Sequence, residues 1–440
     1  MGSSLSIEAS IKFSSRSKVV SLIFFAFAVL SADSSALSLD DLISRGVGSY
    51  PAILAKESVR NSAQIDLTSS GLKFLPSLGF NTQRNQVNFD GGSNTGKMPS
   101  TNVSITQPLL VDGGVVAGYR KADARLSMAD YAVLEAKESI SINIINAYGE
   151  WLRAWHKTKA LENSLNLHKR FSDMMQRRYE QGLSAAVDRD LATSRLMQTK
   201  AELDSQMALE MTALASLSSF VNEPISRNNL IGSIAKQVPV LMRSEGIPQS
   251  LEQSPLLNRY KYEAIAAQEE AKEIRAQALP QLSVQAQRQI GNAYYPGAQG
   301  FNAVGVVVSI NTGGGFSNII GSSAAIERAK SVSHQADTAK REQKNRLESS
   351  YNDYESALAK KISLAQSSNL SVDIAASYDR QYLIGRKNWL ELMNSIREEV
   401  QAKSQLADSE AALVTSSYKL MIYLNGADRF SRRAIVKCCV

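Results

Sequence analysis

The chain has 440 residues, of which 44% are hydrophobic and 21% charged, and a formal net charge of +7; its mean hydropathy is −0.19. That balance describes an ordered protein and excludes a bundle of many membrane-spanning helices. The positive charge is small and scattered, with no basic stripe carrying interleaved aromatics, so no nucleic-acid partner is expected.

The N-terminus carries Lys12, Arg16 and Lys18 ahead of the apolar run Val19 to Leu30, and Ser34-Ser-Ala36 follows as a small-x-small site. This is the layout of a secretory signal peptide, predicted over residues 1–36, with an apolar core too short to span a bilayer. The only cysteines, Cys438 and Cys439, are adjacent near the C-terminus, so no disulfide framework is expected despite the exported context.

Prolines divide the remaining chain. None lies between 109 and 223 and none after Pro296. Because proline breaks helix interiors, those two gaps are where very long helices can form. The same map exposes a repeat. Pro51 and Pro76 return as Pro255 and Pro280, and Gln83-Arg84 as Gln287-Arg288. Tyr148 returns as Tyr351, Gly182 as Gly385, Phe220 as Tyr423 and Asn222 as Asn425. Such a sustained offset predicts a tandem duplication. The expected organisation is a first repeat over 37–223, a linking segment over 224–254, a second repeat over 255–426 and a short basic tail over 427–440.

Each repeat reads the same way. Residues 51–72 suit a helix. From Phe74 the period changes to two: Leu78 and Phe80 alternate with Ser77, Gly79 and Asn81, and after a Gly/Ser/Asn loop Val103 and Ile105 alternate with Asn102, Ser104 and Thr106. The second repeat offers Leu282 and Val284, then Val304, Val306, Val308 and Ile310. Hairpins of about 74–108 and 280–311 are predicted. Alternating segments of this length, with aromatics near their ends, are what transmembrane barrel strands look like. Four such strands cannot close a barrel, and a lipid-facing sheet tolerates no open edge, so several chains would have to pool theirs.

After each hairpin comes a heptad pattern: Ile140, Ile144, Ala147, Trp151, Ala154, Thr158, Leu161 and Leu165 outward, and Leu196, Leu203, Met207, Leu214, Leu217 and Val221 on the return. Sustained a/d spacing means coiled-coil packing. The turns are Tyr179-Glu-Gln-Gly182 and Tyr382-Leu-Ile-Gly385, with tips about 182–188 and 385–391, where a lone glycine between long helices supplies a positive φ.

Enzymatic chemistry has no support. His156, His168 and His334 are scattered without metal-ligand spacing, Asp188-x-Asp190 lacks the other ligands of a calcium loop, and Gly313-Gly-Gly315 is not followed by the Lys of a phosphate loop. No catalytic residue, metal or cofactor is expected. A trimeric coiled-coil adhesin would share the heptads but needs neither duplicated hairpins nor amphipathic strands.

The signal peptide, the duplicated helix–hairpin–helix–helix unit, Asp112-Gly113-Gly114 after the second strand and the Arg178-Tyr-Glu-Gln-Gly182 turn together resemble the TolC family of outer-membrane channel proteins. The resemblance spans about 38–426. It implies a mainly α protomer with membrane β: a long α-helical coiled-coil barrel in the periplasm and four strands given to a trimeric twelve-stranded barrel in outer-membrane lipid. The linking segment and the C-terminal tail would form a belt around the tunnel. The implied partners are two further copies, a periplasmic adaptor and an inner-membrane ABC or proton-driven transporter. The implied role is the exit duct of type I protein secretion, with a tripartite multidrug efflux pump as the alternative. Carried over residue by residue, the resemblance places the periplasmic aperture at Asp188, Val187, Tyr382, Lys387, Glu391 and Asn394. Tyr382 and Lys387 would bond to Asp188 and the Val187 backbone, Glu391 would form an acidic ring and Asn394 a neutral one. Gly182, Leu183, Ser184, Gly385 and Arg386 would dock the adaptor. The second hairpin ends without an Asp-Gly-Gly turn, which leaves the register of the fourth strand open.

Overall fold

Two helices of 67 residues each dominate the chain, α3 (Gly114–Glu180) and α7 (Ser317–Leu383). Each spans about 100 Å at the usual rise of ~1.5 Å per residue. The computed structural model describes residues 37–87, 96–110, 113–230, 242–291, 300–310 and 317–426. Residues 1–36, the linking stretch 231–241, Asp112, the Gly313-Gly-Gly315 run, the hairpin loops and the tail with Cys438 and Cys439 lie outside the described residues. Among the described residues no helix is long and apolar enough to cross a membrane.

The remaining elements flank those two helices in the same order twice. Helices α1 (Leu39–Ser49) and α2 (Pro51–Leu72) precede strands β1 (Ser77–Val87) and β2 (Gly96–Leu110), and α4 (Ala186–Val221) follows α3. The matching set is α5 (Arg243–Gln253), a counterpart of α1 that lies inside the expected linking segment, then α6 (Pro255–Ala276), β3 (Gln281–Ile290), β4 (Phe301–Ser309) and, after α7, α8 (Trp389–Asn425). Both α2 and α6 start on a proline, whose fixed φ suits the first helical position. Ser38 and Asp41 cap α1 reciprocally.

The strands form one antiparallel sheet in the order β1-β2-β3-β4. Side chains alternate between faces, so register decides what each face presents. Leu78, Ile105, Ala286 and Val304 line up across one face, and beside them run Gln107, Val284 and Val306, then Leu282 and Val308. The opposite face carries Gly79, Ser104, Gln287 and Ala303 in one row and Asn81, Asn102 and Gln289 in another. The apolar face is bare, with Leu78 80% and Val304 79% exposed. The register of the fourth strand is Gln281↔Ser309 through Gln289↔Phe301. Comparison with Ser77↔Thr106 shows the two hairpins aligned with an offset of 204 on the first strand and 203 on the second. One residue has therefore been lost within the second loop.

Helix α3 changes neighbours along its length. Its first half lies beside α2 and α6, where Arg125 pairs with Glu270 at 2.8 Å, Arg259 with Glu135 at 2.6 Å, and Tyr131 stacks on Tyr262. Lys121 pairs with Glu273 there as well. Its second half joins α4 and α8, where Arg153 and Lys157 share Asp408. Of the expected outward heptad, all residues but Leu165 are buried, Ile144 and Trp151 completely. In the return heptad Leu203, Leu217 and Val221 are buried and Leu196 and Leu214 half-buried, but Met207 is exposed and Glu210 takes the buried position. The Glu210 carboxylate lies 3.1 Å from Nε of Arg227, which reaches it from a short 3-10 turn over Arg227–Asn229. A charge fills a coiled-coil position because the segment after α4 brings its own counter-ion.

Candidate functional site: the two hairpin tips

Both tips are built by the same backbone device. The Leu183 N–H donates to the Arg178 carbonyl at 2.8 Å and Gly182 N–H to that of Tyr179 at 2.9 Å; Arg386 donates to Gln381 at 2.9 Å and Gly385 to Tyr382 at 3.0 Å. This pair of bonds is the Schellman helix end, which needs one residue of positive φ. Gly182 (φ +67°) and Gly385 (φ +74°) supply it. Nothing lies close enough to either to obstruct a side chain, so backbone conformation alone explains the glycines. After each turn a new helix begins, at Ala186 without a side-chain cap and at Trp389 with Asn388 accepting from Leu390 N–H. Leu183, Val187 and Arg386 project into solvent, and Ser184 is half-buried.

Beneath the tips lies an apolar cluster of Phe171, Met175, Ala192, Trp389, Leu392, Met393 and Ile396. It joins α3 and α4 of the first repeat to α8 of the second. Tyr382 packs against it, edge-on to Phe171 with ring centres 5.6 Å apart, and its hydroxyl donates to Met174 Sδ at 3.7 Å. Lys387 pairs with Glu391 one turn on and stands 4.6 Å over the Tyr378 ring; the bond to Glu391 raises its pKa. The first tip does the same with other residues. Arg189 pairs with Asp190 at 2.7 Å and lies 4.3 Å over Tyr179. Asn394 is exposed and accepts from Arg397 at 3.4 Å.

The bonds expected from Tyr382 and Lys387 to Asp188 and Val187 are not made within the described chain. Asp188 is half-buried in the first turn of α4, and both of its expected donors are engaged elsewhere. The structure thus brings Lys387 and Glu391 together and sets Tyr382 into a core. Arg189 and Tyr378, which take part in the same cation–ring contacts, were missed in the sequence because nothing in spacing alone marks a ring beneath a cation. Among the described residues no group of His, Cys, Asp and Glu is placed to hold a metal.

Residues 42–222 match the family model described as outer membrane efflux protein. A search of curated proteins finds no match. The structure is similar to that of the outer membrane protein VceC from Vibrio cholerae, with a TM-score of 0.74 at 16% identity over 88% of this chain and 96% of that one. It is also similar to a membrane protein from Pseudomonas aeruginosa, with a TM-score of 0.76 at 13% identity over 88% and 92%. A third likeness is to the open state of the Neisseria gonorrhoeae MtrE outer membrane channel, with a TM-score of 0.63 at 16% identity over 88% and 89%. Residues 42–222 are thus similar to the outer membrane efflux protein family, and across both repeats the chain shares the fold of these solved outer membrane proteins.

Proposed function

We propose that the protein is the passive outer-membrane duct of an efflux system, in which three copies pool four strands each into a twelve-stranded barrel and set their long hairpins side by side as a periplasmic tunnel. The observation that carries this is the way one repeat meets the other. Inside the chain α3 packs on α6 and α8, and β2 pairs with β3. The equivalent surfaces, α7 and β4 on one flank and α2, α4 and β1 on the other, have no such neighbour among the described residues. They expose apolar side chains: Val59, Ile65 and Leu72 on α2, Met197 and Met211 on α4, and Ile362 and Leu370 on α7. Joining copy to copy as repeat joins repeat covers these surfaces and pairs both open sheet edges.

The tips then form the mouth that faces an adaptor and an inner-membrane transporter, with Gly182, Leu183, Ser184, Gly385 and Arg386 on the docking surface. Asp188, Val187, Tyr382, Lys387 and Glu391 border the aperture. Because Lys387 accompanies Glu391, a ring of the three Glu391 carboxylates carries its own compensating charge, and Asn394 adds none. Small-molecule efflux is the role we adopt, since the matched family is described by efflux; type I protein secretion would use the same duct with a different transporter.

The repeat gives the test. A Cβ on Gly114 would lie 3.3 Å from that of Ala276, close to disulfide separation. The equivalent pair, by the 203 and 204 offsets, is Ser317 of one copy and Leu72 of the next. Ser317→Cys with Leu72→Cys, in a chain whose Cys438 and Cys439 are replaced by serine, should oxidise to a covalent trimer that conducts ions in planar bilayers. A chain that stays monomeric under oxidation would overturn the arrangement.

A further inference from the structure

We propose that Arg84 and Arg288 each form a docking site for the phosphate of an anionic lipid headgroup on the outer surface of the barrel; the inference rests on the barrel reading above. The two arginines occupy the same place in the two repeats, 204 residues apart, as Leu78 and Leu282 do. Alternation puts Arg84 on the face of Leu78 and Phe80, and Arg288 on that of Val284 and Ala286; this face is apolar toward the helices and carries Thr82, Thr101 and Asn302 beside the arginines. Register sets Arg288 opposite Val103 and Asn302, and Arg84 opposite Pro99. Both are exposed.

No carboxylate is available to them on the sheet. The four strands contain no Asp or Glu at all, and among the described residues neither arginine takes part in an ion pair or side-chain hydrogen bond. A cation facing hydrocarbon is costly at the bilayer midplane and tolerated near the interface. Both arginines lie toward the loop ends of their strands, with Leu78, Phe80, Leu282 and Val284 nearer the helices, so they edge the apolar band on the side away from the periplasm. There the guanidinium fork meets phosphate, which it binds with two parallel hydrogen bonds. Duplication and trimerisation together repeat the site around the barrel.

The test uses the full mature chain reconstituted in phosphatidylcholine vesicles with a minor fraction of phosphatidic acid. Val304→Trp places a reporter on the same face, one outward position from Asn302. Its fluorescence beyond that of the parent chain is quenched by brominated phosphatidylcholine or by brominated phosphatidic acid at equal content. The expected result is about threefold stronger quenching by the phosphatidic acid. Adding Arg84→Gln and Arg288→Gln should bring the two lipids to parity while quenching by phosphatidylcholine persists, which shows that the variant strands still lie in the bilayer. Parity before the arginines are changed, a preference that survives their loss, or a preference abolished by millimolar free phosphate would overturn the lipid site. No quenching by either lipid would instead sink the barrel reading.

Discussion

Glu138 sits half-buried on α3, with Glu135 beside it, Arg346 of α7 as an opposing charge, and Tyr423 of α8 close enough to feel it. Burial, reinforced by Glu135 and offset by Arg346, pushes its pKa up from 4.5 to about 7. An unfolded chain releases that proton near 4.5, so between the two values only the folded state keeps it. Stability therefore falls as pH rises through this window and levels off above about 7. Glu138→Gln should flatten the slope in thermal melts stepped across the window; an unchanged slope would remove Glu138 as its origin. Nothing in the sequence distinguishes Glu138 from Glu135 beside it, because the charges and packing it meets include Arg346 of α7 and Tyr423 of α8, two hundred and more residues away. Gly182 and Gly385 were legible for the opposite reason. Their role is set by backbone conformation within four residues of chain, which local sequence reports directly. Tyr382 stands between these cases: the repeat marked its position, and packing on Phe171 and Met174 decided its contacts.

At the scale of elements, the seam of α3 with α8 depends on one close approach. A side chain on Gly149 would run into Thr415, with the Ala411 carbonyl just behind. Gly149→Val should overpack this seam and cost about 1–3 kcal/mol, the usual penalty for inserted volume in a packed core. Denaturant titration of the purified protein checks it, and Thr415→Ala in the same chain should recover part of the loss by making room. The helices themselves were plain in the sequence, since two proline-free stretches and a heptad leave little alternative. The partner of each seam was not. A heptad says that a face is buried and not by which helix, and Met207 fits the spacing yet stays exposed while Glu210 is buried. Strands were legible from alternation, but the register of β4 needed the loop length, which alternation does not contain.

For the whole molecule, the duplication would create two kinds of seam around the mouth of the proposed trimer, and they differ in chemistry. The seam inside each chain carries Phe171, Met175, Trp389, Leu392, Met393 and Ile396, with Phe171 and Leu392 almost fully buried. Its counterpart between copies of the proposed trimer would set α7, with Asp373, Ile374, Ser377 and Tyr378, against α4, with Ala186, Arg189, Asp190 and Thr193, by the same 203-residue offset. Apolar contact dominates the first; charge and hydroxyl dominate the second. A polar seam between charged tips is screened by salt and exposed to solvent, so it separates at lower cost than a close-packed one. The mouth of the proposed channel should therefore widen between copies while each chain's hairpin pair moves as one body. Ile374→Asp, next to Asp190 of the adjoining copy, adds a like charge to that seam and should raise single-channel conductance in planar bilayers. Leu392→Ala should leave conductance at the parent value and lower unfolding stability by about 2–5 kcal/mol, as cavity formation in a core does. The reverse pattern, with conductance rising for Leu392→Ala and unmoved for Ile374→Asp, would place the opening inside the chain and assign the latch to Tyr382 and the cluster beneath it.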